Sequence, residues 1–375
     1  MPMTSSSTLF FFTLIILNYG FLVSISAAAV VSSKTCAFRS IYQFGDSIND
    51  VGNLIRMGSA GSKSRCGHLP YGQDLFTNPS GRCSNGLLMI DHFTFANKLP
   101  QLRPYLEQSS NVDHGVNFAV AGSTALNSSF FTQRNLSVHV PNAPLSTQLT
   151  WFKDHLNHVC RNQTACAERL QHSLVFMGEI GGNDFNTGFF QQRSVKEIRT
   201  YVPYVVQAIT DAVREVIRAG ARHLVVPGNF AIGCFPIYLN QYGTNDPQAY
   251  DDMGCLKRMN GFAIYQNDHL KGALEQLRKE YPDAVILYGD YYNAFLSVLR
   301  QASALGFDRS SALQACCGIG GKYNFTLNKY CRSGVPVCRY PARSISWDGV
   351  HLTQHTYMHM AQWLLGDLLP KMQCS

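Results

Sequence analysis

The chain holds 375 residues, 46% of them hydrophobic and 15% charged. That composition excludes a disordered polymer and allows one large or two ordinary domains around a sizeable core. The net charge of +7 is spread without a Lys/Arg block or an aromatic-interleaved basic stripe, so no nucleic-acid partner is expected.

Residues 1–29 differ from the rest. The stretch 9–23 is almost continuously apolar, and Ala27, Ala28 and Ala29 supply the small residues of a cleavage site, which together predict a secretory signal peptide. The run is shorter than the roughly 20 residues of a spanning helix, so no stable membrane anchor is expected. All 12 cysteines, from Cys36 to Cys374, follow this segment, and an even count in an exported chain predicts disulfides. The short spacings Cys160/Cys166 and Cys331/Cys338 suggest local loops. Adjacent Cys316 and Cys317 should take different partners, because neighbouring residues meet disulfide geometry poorly. The sequons at Asn127, Asn135, Asn162 and Asn324 agree with a secretory route and, if glycosylated, lie at the surface.

The first strand-like run, 40–44, stops at Gly45, and Ser47 follows two residues later. In a parallel α/β sheet the C-terminal strand ends open onto the binding crevice, so a serine there is placed to act as a nucleophile; an ordinary Gly-Asp-Ser-Asn turn is the plainer alternative. A second run, 116–120, leads to Gly122, where the missing side chain lets a backbone N–H approach a ligand oxygen. A third, 174–177, leads to Gly181-Gly182-Asn183-Asp184, whose Asn183 amide can donate to a developing oxyanion. Both are also good turns. Val195, Ile198, Val202, Val205, Val206, Ile209, Val213, Val216 and Ile217 keep a helical stripe. Pro203 divides it into a short helix and a longer one, and Gly220 follows as a C′ residue. Strand-like runs recur at 224–226 and 285–288, with a second helical stripe from Leu256 to Leu277 between them, stopped before Pro282. Near the C-terminus, Asp348 precedes His351 by three residues on the approach to a last helix at 353–369. That spacing lets the carboxylate hold the imidazole Nδ1–H and leaves Nε2 free to take a serine proton. The alternative is an Asp that caps the helix beside a surface His.

Strands alternating with helices predict an α/β three-layer fold with a mainly parallel sheet of about five strands. No linker or repeat divides residues 30–375, so a single domain is expected, with long loops at 58–85, 127–144 and 240–254. His351, His355 and His359 share a helix face, but no H-E-x-x-H arrangement accompanies them, and neither a metal nor a cofactor is expected. No G-x-S-x-G elbow is present.

Taken together, Phe44-Gly45-Asp46-Ser47, the block at 116–123, Gly181-Gly182-Asn183-Asp184, Pro227-Gly228-Asn229-Phe230 with Ile232-Gly233-Cys234, and the block at 347–351 resemble the plant GDSL esterase/lipase family of SGNH hydrolases. The resemblance implies a flavodoxin-like α/β/α fold and a catalytic triad of Ser47, Asp348 and His351. It also implies an oxyanion hole of the Ser47 N–H, Gly122 and Asn183. Ser40-Ile41-Tyr42-Gln43, Asn53-Leu54-Ile55-Arg56, the segment 315–321 and Gly334-Val335-Pro336-Val337-Cys338 are similar to the acetylajmalan esterase branch. The expected protein is a monomeric serine esterase of the secretory pathway, extracellular, apoplastic or vacuolar. Its small-molecule substrate would be an acetylated or acylated plant natural product such as an alkaloid, hydrolysed through an acyl-Ser47 intermediate. An acyltransferase would use the same residues, and a binding protein on a hydrolase scaffold is the non-catalytic alternative. Val51, Asn85 and Leu87 depart from the usual Thr, Asp and Arg of the family, in loops.

Overall fold

The computed structural model describes residues 37–75, 78–107, 112–138 and 143–372. The expected signal peptide at 1–29, Cys36 and Cys374 lie outside the described residues. Six parallel strands make one sheet: β1 (Ser40–Phe44), β2 (Arg103–Pro104), β3 (Gly115–Asn117), β4 (Ser173–Met177), β5 (His223–Pro227) and β6 (Val285–Gly289). Their order is β2-β3-β1-β4-β5-β6. Every residue of β1 and β4 is buried, as expected for strands covered on both faces. The polar exceptions are satisfied: Gln43 Nε2 donates to the Gly178 carbonyl at 2.7 Å, and the Ser40 and Ser173 hydroxyls meet at 2.7 Å.

The five expected strands are all present, and the sixth, β2, is a two-residue edge strand ending in Pro104. A pair of residues with a proline leaves no apolar run to read, and an edge is where a strand tolerates a missing N–H. β3 pairs with β1 through Ile41 and Gly115. A Cβ at Gly115 would lie 1.8 Å from the Ile41 carbonyl oxygen, so only glycine lets these two strands close. The expected strand at 116–120 is shorter in fact: the Phe118 and Val120 N–H groups still reach the Gln43 and Gly45 carbonyls, but the Gly45 N–H donates to Gln148 instead of back to this strand, and the regular ladder ends.

Helices form two packed groups. Gln354–Leu368 packs against both Met89–Ala96 and Tyr291–Arg300, and Val202–Arg218 against both Leu145–Val159 and Lys257–Glu280. With the sheet they make the three-layer α/β architecture. The divided stripe appears as Val195–Arg199 and Val202–Arg218. At its end the Ala221 N–H bonds to the Val216 carbonyl and the Gly220 N–H to that of Ile217, the paired bonds of a Schellman motif, with Gly220 at φ +125°. The last helix begins where expected, Thr353 capping the Thr356 N–H. No helix among the described residues is long and apolar enough to cross a membrane.

Ten cysteines pair as Cys66–Cys83, Cys160–Cys166, Cys234–Cys255, Cys316–Cys338 and Cys317–Cys331. The expected local loop Cys160/Cys166 is present and Cys316 and Cys317 do diverge, but Cys331/Cys338 is not a pair. Cys317 forms an antiparallel bridge with Val337, which sets Cys316 opposite Cys338. Opposed antiparallel residues bring their Cβ atoms close, so Cys338 bonds across the bridge and leaves Cys331 to Cys317. Cys66, Cys83, Cys316, Cys317 and Cys331 pack with Tyr71, Ala121 and Trp347 as a small core separate from that of the sheet.

Candidate active site

β1 lies between β3 and β4, and the chain after β1 builds outward first through β2 and β3, then on the other side through β4 to β6. This reversal creates a crevice at the C-terminal strand ends, the topological switch point of an open α/β sheet. Ser47 follows β1, Gly122 follows β3 and Asn183 follows β4. All three line one cleft of about 530 Å³, together with Asp348 and His351 from the C-terminal loop. The fold therefore brings all five residues singled out for catalysis to one place.

Ser47 Oγ lies 2.8 Å from His351 Nε2, and His351 Nδ1 lies 2.8 Å from Asp348 Oδ2. The other Asp348 oxygen accepts the Val350 and His351 backbone N–H groups at 2.9 and 2.7 Å. Thus the loop that carries the imidazole is folded around the carboxylate that orients it. Burial pushes the Asp348 carboxyl up, but the His351 charge and hydrogen bonds, with Arg65 nearby, outweigh burial and hold it well below the usual carboxylate range. An ionised Asp348 fixes the proton on Nδ1 and leaves Nε2 as the acceptor facing serine.

On the other side of Ser47, the backbone N–H groups of Ser47 and Gly122 make no hydrogen bond to any described residue. Gly122 has φ +84°, and a Cβ there would meet nothing within 4 Å. Conformation, then, is what demands glycine at this position. Asn183 Nδ2 donates to Asp46 Oδ2 at 2.9 Å and to the Ser123 carbonyl at 3.0 Å. Both protons of this amide are therefore engaged in the unliganded site, and donation to an oxyanion requires one of these bonds to loosen.

Several supporting residues carry little signal in the sequence. Tyr71, fully buried in a loop, donates its hydroxyl to Asp348 Oδ2 at 2.8 Å and packs edge-on against Trp347. Burial and the Asp348 charge push its phenol well above its ordinary value, keeping it a donor. Asp50 accepts the N–H groups of Gly52, Asn53, Leu54 and Ala121, so one carboxylate ties the turn after Ser47 to the residue before Gly122. Gln148 both accepts from the Gly45 N–H at 2.9 Å and donates to its carbonyl at 2.8 Å. Asp184 accepts the Ala125 and Leu126 N–H groups at 2.8 and 2.9 Å. The only signal for these is polarity inside otherwise apolar blocks.

Asp46, Glu179 and Asp184 form a buried acidic group below the serine. Burial is the main cause that raises each: Asp184 to about 7 despite its backbone donors, Asp46 upward despite the Ile48 N–H and His351, and Glu179 well above the usual range, with Asp46 adding to the rise. Among the described residues no cluster of three or more His, Cys, Asp or Glu is arranged to hold a metal. The His359 ring packs against Phe307 at 5.6 Å. Of the sequons, Asn127, Asn135 and Asn162 are exposed, while Asn324 is half-buried and donates its amide to the Ala315 carbonyl at 2.8 Å.

The model of the family described as GDSL-like Lipase/Acylhydrolase matches residues 41–364. A GDSL esterase/lipase of Arabidopsis thaliana is 49% identical over 347 residues, covering 92% of this chain and 94% of that protein. Acetylajmalan esterase 2 of Rauvolfia serpentina is 46% identical over 359 residues, 95% of this chain and 97% of that protein. Acetylajmalan esterase 1 of the same plant is 45% identical over 349 residues, covering 93% and 91% respectively.

Proposed function

The chain belongs to the GDSL-like lipase/acylhydrolase family and is a carboxylic ester hydrolase, and from that premise we propose that Ser47, His351 and Asp348 hydrolyse its ester through an acyl-Ser47 intermediate. The observation that carries this reading is the unbroken line from Ser47 Oγ through His351 to Asp348, each link at 2.8 Å. Ser47 Oγ bonds to the ester carbonyl carbon while its proton passes to His351 Nε2. The carbonyl oxygen becomes an oxyanion held by the Ser47 and Gly122 N–H groups and by the Asn183 amide once it turns from one of its present acceptors. The bond to the leaving alcohol then breaks, and His351 returns the proton to that alcohol's oxygen. A water, deprotonated by His351, attacks the acyl-serine; collapse of the second intermediate releases the carboxylic acid and restores the serine hydroxyl.

The substrate class is drawn from the relatives: two are named for acetylajmalan, which favours a small acetylated or acylated natural product, such as an alkaloid, over a triglyceride. The apolar segment with its Ala27–Ala29 site, the five disulfides among the described residues and the exposed Asn127, Asn135 and Asn162 support a glycosylated protein of the secretory pathway. In this reading residues 30–375 are one hydrolase domain and the enzyme acts as a monomer, outside the cell, in the apoplast or in the vacuole. Replacing Ser47→Ala tests the mechanism with a short-chain aryl acetate. The expected loss in kcat is about 10⁴-fold or more with an unchanged thermal transition; turnover within tenfold of the native rate overturns the assignment.

A further inference from the structure

Two cavities meet at Ser47, and they differ in size and in what they touch. The 530 Å³ cleft contains His351 and Gly122. A second cavity of about 60 Å³ is bounded by Ser47, Asn183 and Val350 on the side shared with the cleft, and by Phe230, Ile232 and Ile237 at its end, but it touches neither His351 nor Gly122. In an ester hydrolysis, the group that removes the serine proton is the group that protonates the leaving alcohol. The alcohol oxygen must therefore lie on the His351 side, in the large cleft. The oxyanion must face the unpaired N–H groups of Ser47 and Gly122. With attacking serine, oxyanion and leaving group placed, the fourth substituent of the tetrahedral carbon is the acyl chain, and the direction left to it is the small cavity.

We infer that the 60 Å³ cavity is the acyl site, and that it restricts the enzyme to short acyl groups while the bulk of the substrate occupies the alcohol-side cleft. The inference rests on Ser47 being the nucleophile. The cavity is almost ninefold smaller than the cleft beside it, so it takes a short chain and not the bulk of a substrate. Its end wall has little freedom to retreat. Phe230 packs edge-on against Phe235, Tyr291 and Phe295 at 5.7, 5.4 and 6.1 Å. The Cys234–Cys255 disulfide pins the turn that carries Ile232. Ile237 donates its N–H to the Gly349 carbonyl at 3.1 Å, fixing it to the loop of the catalytic histidine. The polar floor is made by Asp46, Glu179 and Asn229. Burial drives both carboxyls toward their neutral forms, so a methyl group would not face a full charge.

The test is a series of p-nitrophenyl esters from acetate to octanoate, identical in the alcohol and varied only in the acyl chain. The native enzyme is expected to lose at least tenfold in kcat/KM between acetate and hexanoate. Ile237→Ala, and the milder Ile237→Val if the first does not fold, should raise the hexanoate-to-acetate ratio. Hexanoate and octanoate turned over as well as acetate would overturn the assignment, as would a ratio unchanged in a folded, active Ile237 variant. Labelling of Ser47 by methyl and octyl fluorophosphonates makes the same comparison without turnover, the methyl reagent expected to react at least tenfold faster. Equal labelling rates overturn the acyl site alone, whereas failure of both reagents to label overturns the serine mechanism beneath it.

Discussion

The two halves of the site are held by different means. Ser47 stands at the end of β1, the middle of the sheet, where Tyr42, Phe44, Phe118 and Phe176 are buried in the main core. Asp348 and His351 stand on a loop whose neighbours are Tyr71, Trp347 and disulfides of the small second core. The electrostatics differ as well. The acids below the serine bury carboxyls with few compensating charges and are pushed toward neutrality, while Asp348, equally buried, meets His351 and stays ionised. Burial sets the cost for both groups; the partner decides which protonation state meets it.

The largest effect expected from breaking this contrast is in the loop half. Asp348→Asn keeps an oxygen for the Val350 and His351 N–H groups but removes the charge that selects the imidazole tautomer. A loss of about 10⁴ in kcat is expected, with a near-native melting transition. If kcat fell less than tenfold, the carboxylate would not be orienting the base. In the sheet half, Asn183→Ala should lower kcat by about 10²–10³-fold with less change in KM. A fall under threefold would mean that the two free N–H groups suffice and that the amide only bridges Asp46 and Ser123.

The smallest effect is on stability and separates the acids by sign. A carboxyl with a raised native pKa keeps its proton in the folded chain after the unfolded chain has lost it, so its contribution is full below 3.8 and is lost as pH rises toward about 7 for Asp184. Asp348, with a lowered pKa, contributes above the ordinary carboxylate value and loses that contribution only in strong acid. The contribution of Asp184 to the melting temperature should therefore be larger at pH 5 than at pH 8. Asp184→Asn should flatten that slope by several degrees, and thermal unfolding across the range would show whether the slope is left intact.

Legibility in the sequence divides along the same line. Strands covered on both faces announce themselves as apolar runs, so β1, β4, β5 and β6 were readable to within a residue or so at each end. β2 was not, because two residues at an edge carry no periodicity. The proposed catalytic positions stood out because each sits just after a strand or before a helix, where glycine and turn residues mark the break. Tyr71 was not. Its contact with Asp348 spans 277 residues and depends on a loop closed by Cys66–Cys83, and nothing local distinguishes it from any loop tyrosine. The Cys316–Cys338 pairing was hidden likewise, since it depends on an antiparallel bridge between two irregular segments.

The sequence separation of 304 between Ser47 and His351 also sets an order of events during synthesis. The sheet is complete once β6 ends at Gly289, before Asp348 has been added to the chain. A product terminated in that interval would contain all six described strands, Ser47, Gly122 and Asn183, but neither Asp348 nor His351. On the proposed mechanism full translation is thus a condition for activity, and an interrupted chain is a bystander to the esters it meets.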